Sequence, residues 1–172
     1  MKKLYDLANA AILLLTALFV YARFPKLPAR FPSHFDLTGI PNRWSGRGAF
    51  LVIVAIPFIL TLVFYILIRF MPRLANYPQR LNIPHKEEFL KLPAEKQMVY
   101  WALLQEFFAG LIAVINLLFY LIIRGTVRVA AGQASLLPLS SMLPALAAMA
   151  LLMIYYFRRM FTLPGKLVRG EE

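Results

Sequence analysis

Two ionisable side chains, those of His34 and Asp36, stand two residues apart in a polar stretch of a mostly apolar chain. In an extended segment, residues two apart project from the same face. A carboxylate beside an imidazole orients the ring and raises its pKa, which is how a general base, a proton sensor or part of a metal site is built. The alternative, which we favour, is that both side chains form hydrogen bonds within a folded loop.

The neighbouring residues predict a compact loop that presents aromatic and cationic groups. Residues 38–42, TGIPN, are typical of a turn, because glycine adopts positive φ at little cost and proline fixes its own φ. Aromatic side chains suit a bilayer surface, and arginines suit an anionic headgroup or peptide. The candidate residues of this loop, for ligand binding or for structure, are His34, Phe35, Asp36, Gly39, Arg43 and Trp44.

A metal site has little support in the sequence. The only other histidine is His85, which the predicted topology places across the membrane from His34, and the chain has no cysteine. A stable zinc site usually needs at least three protein ligands. We therefore predict no metal and no other cofactor.

The composition predicts a membrane protein. Hydrophobic residues make up 60% of the 172 residues, and the mean hydropathy is +0.66, whereas soluble domains are nearer ~45–50% apolar. The formal net charge is +11. Basic residues flank the apolar runs instead of lining one continuous face, so the expected partner is a lipid bilayer and not nucleic acid.

Four apolar runs predict an all-α integral membrane protein, a single membrane domain covering residues 1–172. A helix of about 20 residues crosses the hydrocarbon core of a bilayer. The predicted helices cover residues 5–24, 49–70, 94–123 and 136–157, with an external Pro/Gly-rich loop at 25–48 and a cytoplasmic loop at 71–93. Alternatively, the first run is a cleaved secretory signal, because it follows two lysines and ends in Val20-Tyr21-Ala22.

The distribution of basic residues predicts the orientation. Twelve of the 19 Lys and Arg residues fall on the side that holds both termini and the 71–93 loop. Cytoplasmic segments carry the excess of Lys and Arg in membrane proteins, so both termini are expected in the cytoplasm. The other seven basic residues are Arg23, Lys26, Arg30, Arg43, Arg47, Arg124 and Arg128.

The polar candidate residues within or beside the predicted spans are Arg69, Glu106 and Asn116. Desolvating an ionised side chain in lipid is costly, so such residues are functional candidates by default. We expect Glu106 at the cytoplasmic interface in an ion pair with Arg69, and a proton-transfer role is the alternative. Asn116 is expected to form a hydrogen bond between helices.

The loop resembles a segment of a bacterial family of multi-pass membrane proteins of largely unknown function. That segment reads LP-x-x-x-P-x-HF, then G-x-P and an aromatic-Ser-Gly/Lys turn, and it also opens the SdpI-type immunity and signalling proteins. The matching residues are Leu27, Pro28, Pro32, His34, Phe35, Gly39, Pro41 and Trp44. The resemblance implies a helical membrane module and, in the SdpI-type relatives, protection against a toxic peptide coupled to sequestering a repressor.

We therefore expect a non-enzymatic protein of a bacterial inner (cytoplasmic) membrane that senses, or protects against, an envelope-active peptide through its external loop. A protein partner is expected at the cytoplasmic loop. A small transporter or accessory subunit is the alternative, because a midplane path could form from prolines and polar residues inside or beside the bundle. These residues are Pro57, Pro144, Glu106 and Asn116. A membrane enzyme ranks third among the hypotheses, because the chain lacks the catalytic motifs GxSxG and HExxH and a phosphate-binding loop.

Overall fold

A computed structural model describes residues 1–74, 77 and 82–170 of the chain. Most of these residues are helical. The helices are α1 (Lys2–Arg23), α2 (Arg47–Leu74), α3 (Lys86–Leu90), α4 (Ala94–Ala130) and α5 (Leu143–Arg169), and the strands are β1 (Arg30–Phe35) and β2 (Pro41–Gly46). Short 3₁₀ turns at Phe24–Lys26 and Leu139–Met142 precede β1 and α5.

Helices α1, α2, α4 and α5 are each long and apolar enough to cross a membrane. The prediction of four helices with the length and apolarity of membrane spans is therefore confirmed. Large apolar side chains point outward from these helices, for example Leu62 at 61% exposure and Leu151 at 68%. Lipid tails are as apolar as leucine, so a bilayer accommodates these side chains.

Helix α4 is the centre of the bundle, and it packs against α1, α2 and α5. Small residues make this close packing feasible. A Cβ added at Gly110 would lie 2.8 Å from the side chain of Leu152 in α5 and 3.1 Å from the ring of Tyr5 in α1. With 37 residues, α4 is roughly 55 Å long and projects beyond a bilayer core of roughly 30 Å.

Helix α5 differs from the predicted 136–157 span at both ends. It begins at Leu143, with Pro144 in its first turn, where the missing N–H of proline costs nothing. It continues through Pro164 to Arg169, beyond the predicted end at residue 157. The extension packs apolar side chains against a buried cluster that includes Phe89 of α3, and this burial stabilises the extension. The side chains are those of Met160, Leu163 and Leu167.

The other spanning helices are also longer than predicted. Helix α1 begins at residue 2 instead of 5, and α2 covers 47–74 instead of 49–70. Helix α4 passes its predicted end at 123 and reaches Ala130, because Ile123 and Val127 are buried in a cluster with residues that precede α2 or begin it. These partners are Leu27, Phe31 and Phe50.

The predicted loop at 25–48 contains an antiparallel β-hairpin, so the chain is not purely α-helical. Strands β1 and β2 pair from Arg30 opposite Gly46 to Phe35 opposite Pro41. Prolines conceal these strands in the sequence, because a residue without an N–H is normally excluded from a strand interior. Pro32 is accommodated beside a register shift between Pro32 and His34, the kind of irregularity that tolerates proline.

The predicted loop at 71–93 is partly ordered by packing. Residues 75, 76 and 78–81 of that prediction lie outside the described residues. The short helix α3 lies within it, and the buried side chains of Ile83 and Phe89 pack with Tyr100 and Trp101 of α4. This segment is therefore attached to the end of the bundle opposite the hairpin.

Candidate functional site

The hairpin turn is built around the carboxylate of Asp36. Its Oδ1 accepts hydrogen bonds from the backbone N–H of Thr38 at 2.9 Å, from the Thr38 hydroxyl at 2.6 Å and from the N–H of Ile40 at 3.0 Å. The hydroxyl and these backbone donors hold the pKa of Asp36 below its usual value, because they stabilise the ionised form. The main role of this carboxylate is to fix the turn.

His34 has a different partner. A nitrogen of its imidazole lies 2.6 Å from the amide oxygen of Asn42 on the opposite strand. None of the hydrogen bonds found for His34 or Asp36 in the described part of the chain joins the two side chains. The two side chains are therefore not joined by a hydrogen bond, and their contacts within the hairpin fit the favoured interpretation of hydrogen bonds within a folded loop.

The base of the hairpin is fixed to the helix ends by packing. Phe31 is fully buried, and its ring centroid lies 4.7 Å from that of Phe50 in α2. The Arg47 guanidinium donates hydrogen bonds to the carbonyls of Leu27 and Pro28, just before β1. A cation at the start of α2 therefore closes the chain segment that joins α1 to the hairpin.

The tip of the hairpin is fixed by a backbone contact at Gly39. The N–H of Leu137, in the connection between α4 and α5, donates a 2.7 Å hydrogen bond to the carbonyl of Gly39. Gly39 has φ of +85°, and an added Cβ would lie 2.5 Å from the carbonyl oxygen of Leu137. Only glycine fits both the left-handed conformation and this close approach.

Strand β2 is the exposed strand of the hairpin. Asn42, Arg43 and Trp44 are exposed, the last at 45%, while β1 carries the buried Phe31. In the part of the chain that the structure describes, the sheet has two strands, so the outer edge of β2 has no strand partner. Phe35 is half-buried and pairs with Pro41. The arrangement leaves a cation, an aromatic ring and a backbone edge exposed on β2.

A second polar cluster lies inside the bundle, around Asn116 of α4. Its amide nitrogen donates to the amide oxygen of Asn9 in α1 at 2.9 Å and to the hydroxyl of Thr61 in α2 at 2.9 Å. Asn9 donates in turn to the carbonyl of Ala109 at 3.0 Å. Both asparagines are buried. The prediction that Asn116 bonds between helices is confirmed, and Asn9 is a partner that sequence reasoning missed, although it is a polar residue within an apolar run.

A chain of polar contacts continues from Asn9 toward the end opposite the hairpin. The amide of Asn9 lies 3.4 Å from the hydroxyl of Tyr65, which donates to Asp6 at 2.7 Å. Asp6 forms an ion pair with Lys2 at 2.7 Å. Asp6 was also missed, because it lies at the start of the first apolar run. These contacts connect α1 to α2 down to the bundle end.

Glu106 does not pair with Arg69, which corrects the expected ion pair. Its carboxylate lies 3.2 Å from the amino group of Met1 and 3.5 Å from the hydroxyl of Tyr156 in α5. Arg69 is exposed. Glu106 contacts the start of α1 and a residue of α5, and sequence position alone cannot reveal which neighbouring helix a side chain faces. Glu106 therefore joins α1, α4 and α5 at the end opposite the hairpin.

The fold and these sites define a multi-pass helical membrane protein with a fixed β-hairpin at one end. No group of three or more His, Asp or Glu side chains within the described ranges is placed to hold a metal ion. Residues 11–61 match the model of a family described as a domain of unknown function (DUF1648). The matched region covers most of α1, the hairpin and the first half of α2. A search of curated proteins and a search of solved structures gave no match.

Proposed function

We propose that the protein is a non-enzymatic component of a bacterial inner membrane that binds an envelope-active peptide at its hairpin. The observation that carries the proposal is the exposed outer edge of β2 on a hairpin that is held at its base by Phe31 and at its tip by Gly39. An edge strand presents backbone N–H and C=O groups that another extended chain can pair with.

Peptide binding at this edge follows the geometry of strand addition. An extended peptide would pair with β2 as a third strand, with main-chain hydrogen bonds giving affinity and alternate side chains giving selectivity. Because the hairpin is already fixed, little ordering cost opposes binding. Arg43 and Trp44 favour a peptide that carries a carboxylate and apolar side chains.

The distribution of basic residues supports the proposed orientation in the membrane, and a sequence resemblance supports the proposed role. The excess of Lys and Arg on the side of both termini favours placing that side in the cytoplasm and the hairpin outside. The resemblance of the hairpin sequence to SdpI-type immunity proteins supports a role in sensing a toxic peptide or protecting against it. The α3 segment, on the opposite end of the bundle, is the proposed contact for a cytoplasmic protein partner.

The proposal is tested with a panel of membrane-active peptides of graded charge. Cells that lack the protein and cells that express it are compared for growth inhibition by each peptide. We expect at least one acidic or neutral peptide to be tolerated better by the expressing cells. A photo-crosslinking amino acid at Trp44 should capture that peptide, whereas the same group at Leu151, on the exposed surface of α5, should not.

The result that overturns the proposal is an equal response of both cell types to every peptide. Variants sharpen the test if tolerance is found. Arg43→Gln combined with Trp44→Ala should remove tolerance, and Leu51→Ala, at an exposed apolar position of α2, should leave it unchanged. Equal loss in both variants would assign the effect to folding or membrane insertion and would count against binding by β2.

A small transporter is the second candidate, favoured by the buried cluster of Asn9, Thr61 and Asn116 inside the bundle. Their amide and hydroxyl groups bond to one another, which also suits a purely structural role. The chain has no cysteine, so single cysteines report on water access. The probe is a small water-soluble maleimide, and Leu62→Cys, on the outward apolar surface of α2, is the negative control. Labelling of Thr61→Cys but not of Leu62→Cys would support a water-filled path. Protection of both cysteines from labelling would exclude it.

A further inference from the structure

A cationic pocket lies beside the hairpin, between the C-terminal turns of α1 and α4, and we call it the basic pocket. Its volume is about 380 Å³. Four cations from three elements line it, namely Arg23, Lys26, Arg124 and Arg128. Phe19, Leu27 and Val127 supply apolar surface, and its described lining contains no acidic residue.

The four positive charges are not neutralised by neighbouring carboxylates. None of the ion pairs found in the described part of the chain involves them. Asp36 is the only acidic residue between Asp6 and Glu87, and its Oδ1 is engaged by the hairpin turn. All four side chains are exposed, so water screens part of their mutual repulsion. None of the carboxylates in the described part of the chain offsets the remaining positive charge, and an anion in the basic pocket would do so.

Stabilisation of the helix ends accounts for only part of this charge. Arg23 and Arg128 lie in the last turns of α1 and α4, where a cation complements the partial negative charge of the terminal carbonyls. Each helix end carries only about half a unit of negative charge. Lys26 and Arg124 lie outside those last turns. A net positive charge therefore remains.

The position of the basic pocket indicates which anion it holds. Arg23 and Arg128 lie in the last turns of two helices that are long and apolar enough to cross a membrane, and we place these cations at the level of the lipid headgroups. Phe19 lies one turn deeper along α1, and the Arg23 guanidinium lies 6.0 Å from the centroid of its ring. The basic pocket thus has a cationic rim at the headgroup level and an apolar wall on the side of the bilayer core.

We propose that the basic pocket binds the phosphate group of an anionic phospholipid, with an acyl chain lying along Phe19. The phosphate accepts hydrogen bonds from the guanidinium groups, which match its oxygens well. Arg124 and Arg128 also line a second cavity of about 260 Å³ together with Pro138 and Ser141. These two arginines stand between both cavities and are therefore the residues to change. This binding is independent of whether a peptide binds β2.

The test measures equilibrium binding to the full chain in a neutral detergent. The probes are a short-chain phosphatidylglycerol, the phosphatidylcholine with the same chains, and inorganic phosphate. We expect phosphatidylglycerol to bind and phosphatidylcholine to bind at least about tenfold more weakly. Arg124→Gln should weaken phosphatidylglycerol binding by about fivefold, and the double variant with Arg128→Gln should weaken it further.

A matched control separates the basic pocket from general surface charge. Arg30→Gln removes an exposed cation from the same end of the protein but outside the basic pocket. It should change the affinity by less than about twofold. Equal losses in control and pocket variants, or equal binding of both lipids, would overturn the proposal. If inorganic phosphate competes fully and binds as tightly as phosphatidylglycerol, the ligand of the basic pocket is a free anion and the lipid proposal is overturned.

Discussion

The amide nitrogen of Asn116 in α4 donates a 2.9 Å hydrogen bond to the amide oxygen of Asn9 in α1, a residue 107 positions earlier in the chain. The same amide nitrogen also donates a 2.9 Å hydrogen bond to the hydroxyl of Thr61 in α2. Three helices are thereby joined inside the bundle, and the two asparagines of this contact are buried. In such a setting, loss of one partner leaves the others short of a hydrogen bond.

Replacing either asparagine should destabilise the bundle and the two effects should not add. We expect Asn116→Leu and Asn9→Leu each to lower the free energy of unfolding by about 1–2 kcal/mol. The double variant should lose less than the sum, because the contact between the two side chains is removed only once. Unfolding in detergent mixtures, monitored by the loss of helicity, measures the change in the free energy of unfolding for each variant. Strict additivity of the two effects would show that the bond contributes nothing.

Replacing Gly39 should detach the hairpin tip. Gly39→Ala brings a Cβ to 2.5 Å from the Leu137 carbonyl oxygen at a φ of +85°, so we expect a loss of about 2–3 kcal/mol and faster proteolysis within the hairpin. Gly132→Ala is the matched control, because Gly132 also has a positive φ, +69°, but has no atom within 4 Å of an added Cβ. The difference in stability between the two variants measures the cost of the close contact with Leu137. Equal losses of stability would show that this contact costs nothing.

Acid should loosen the hairpin turn through Asp36. The pKa of this carboxylate is lowered in the folded protein by its hydrogen bonds. A lowered pKa means that the stabilisation is complete above the unfolded value of about 3.9 and is lost as the pH falls through the folded value. Trp44 fluorescence in a Trp101→Phe background reports the change. Asp36→Ala should already be loosened at neutral pH and should lack this acid transition, and an identical acid transition in Asp36→Ala would contradict the assignment.

Cysteine labelling should reveal which end of the bundle faces outward. The chain has no native cysteine, so Ser45→Cys in β2 and Lys91→Cys after α3 can be labelled singly. With a membrane-impermeant maleimide, we expect Ser45→Cys to react in intact cells and Lys91→Cys only after permeabilisation. The reverse pattern would invert the orientation and would exclude an extracellular peptide as the ligand of the hairpin.

The sequence was sufficient for the four spanning helices because length and apolarity are local properties. Each run of about 20 apolar residues predicts a helix wherever it lies in the fold. Helix ends were less predictable. The extension of α5 beyond 157 depends on the packing of Met160 and Leu163 against a cluster that contains Phe89 and Trp101, and these partners are far away in the chain.

The turn at Asp36 and Gly39 was visible in the sequence, but the strands around it were not. Turn chemistry acts over a few residues, as the hydrogen bonds from Thr38 and Ile40 to Asp36 show. Strand pairing joins residues up to 16 apart, from Arg30 to Gly46, and the prolines at 32 and 41 obscured it. The fold was thus predictable in class, and the hairpin only in its turn.

By itself, the sequence determined that the chain is a helical membrane protein, that a turn lies near Gly39 and that Asn116 needs a partner inside the bundle. The tertiary structure alone decided who the partners are. Glu106 forms an ion pair with the amino group of Met1 and a hydrogen bond with Tyr156, and it does not pair with Arg69. Leu137 forms a backbone hydrogen bond with Gly39. The physical reason is that apolarity and turn conformation are properties of neighbouring residues, whereas a hydrogen bond or ion pair between elements depends on how whole helices pack.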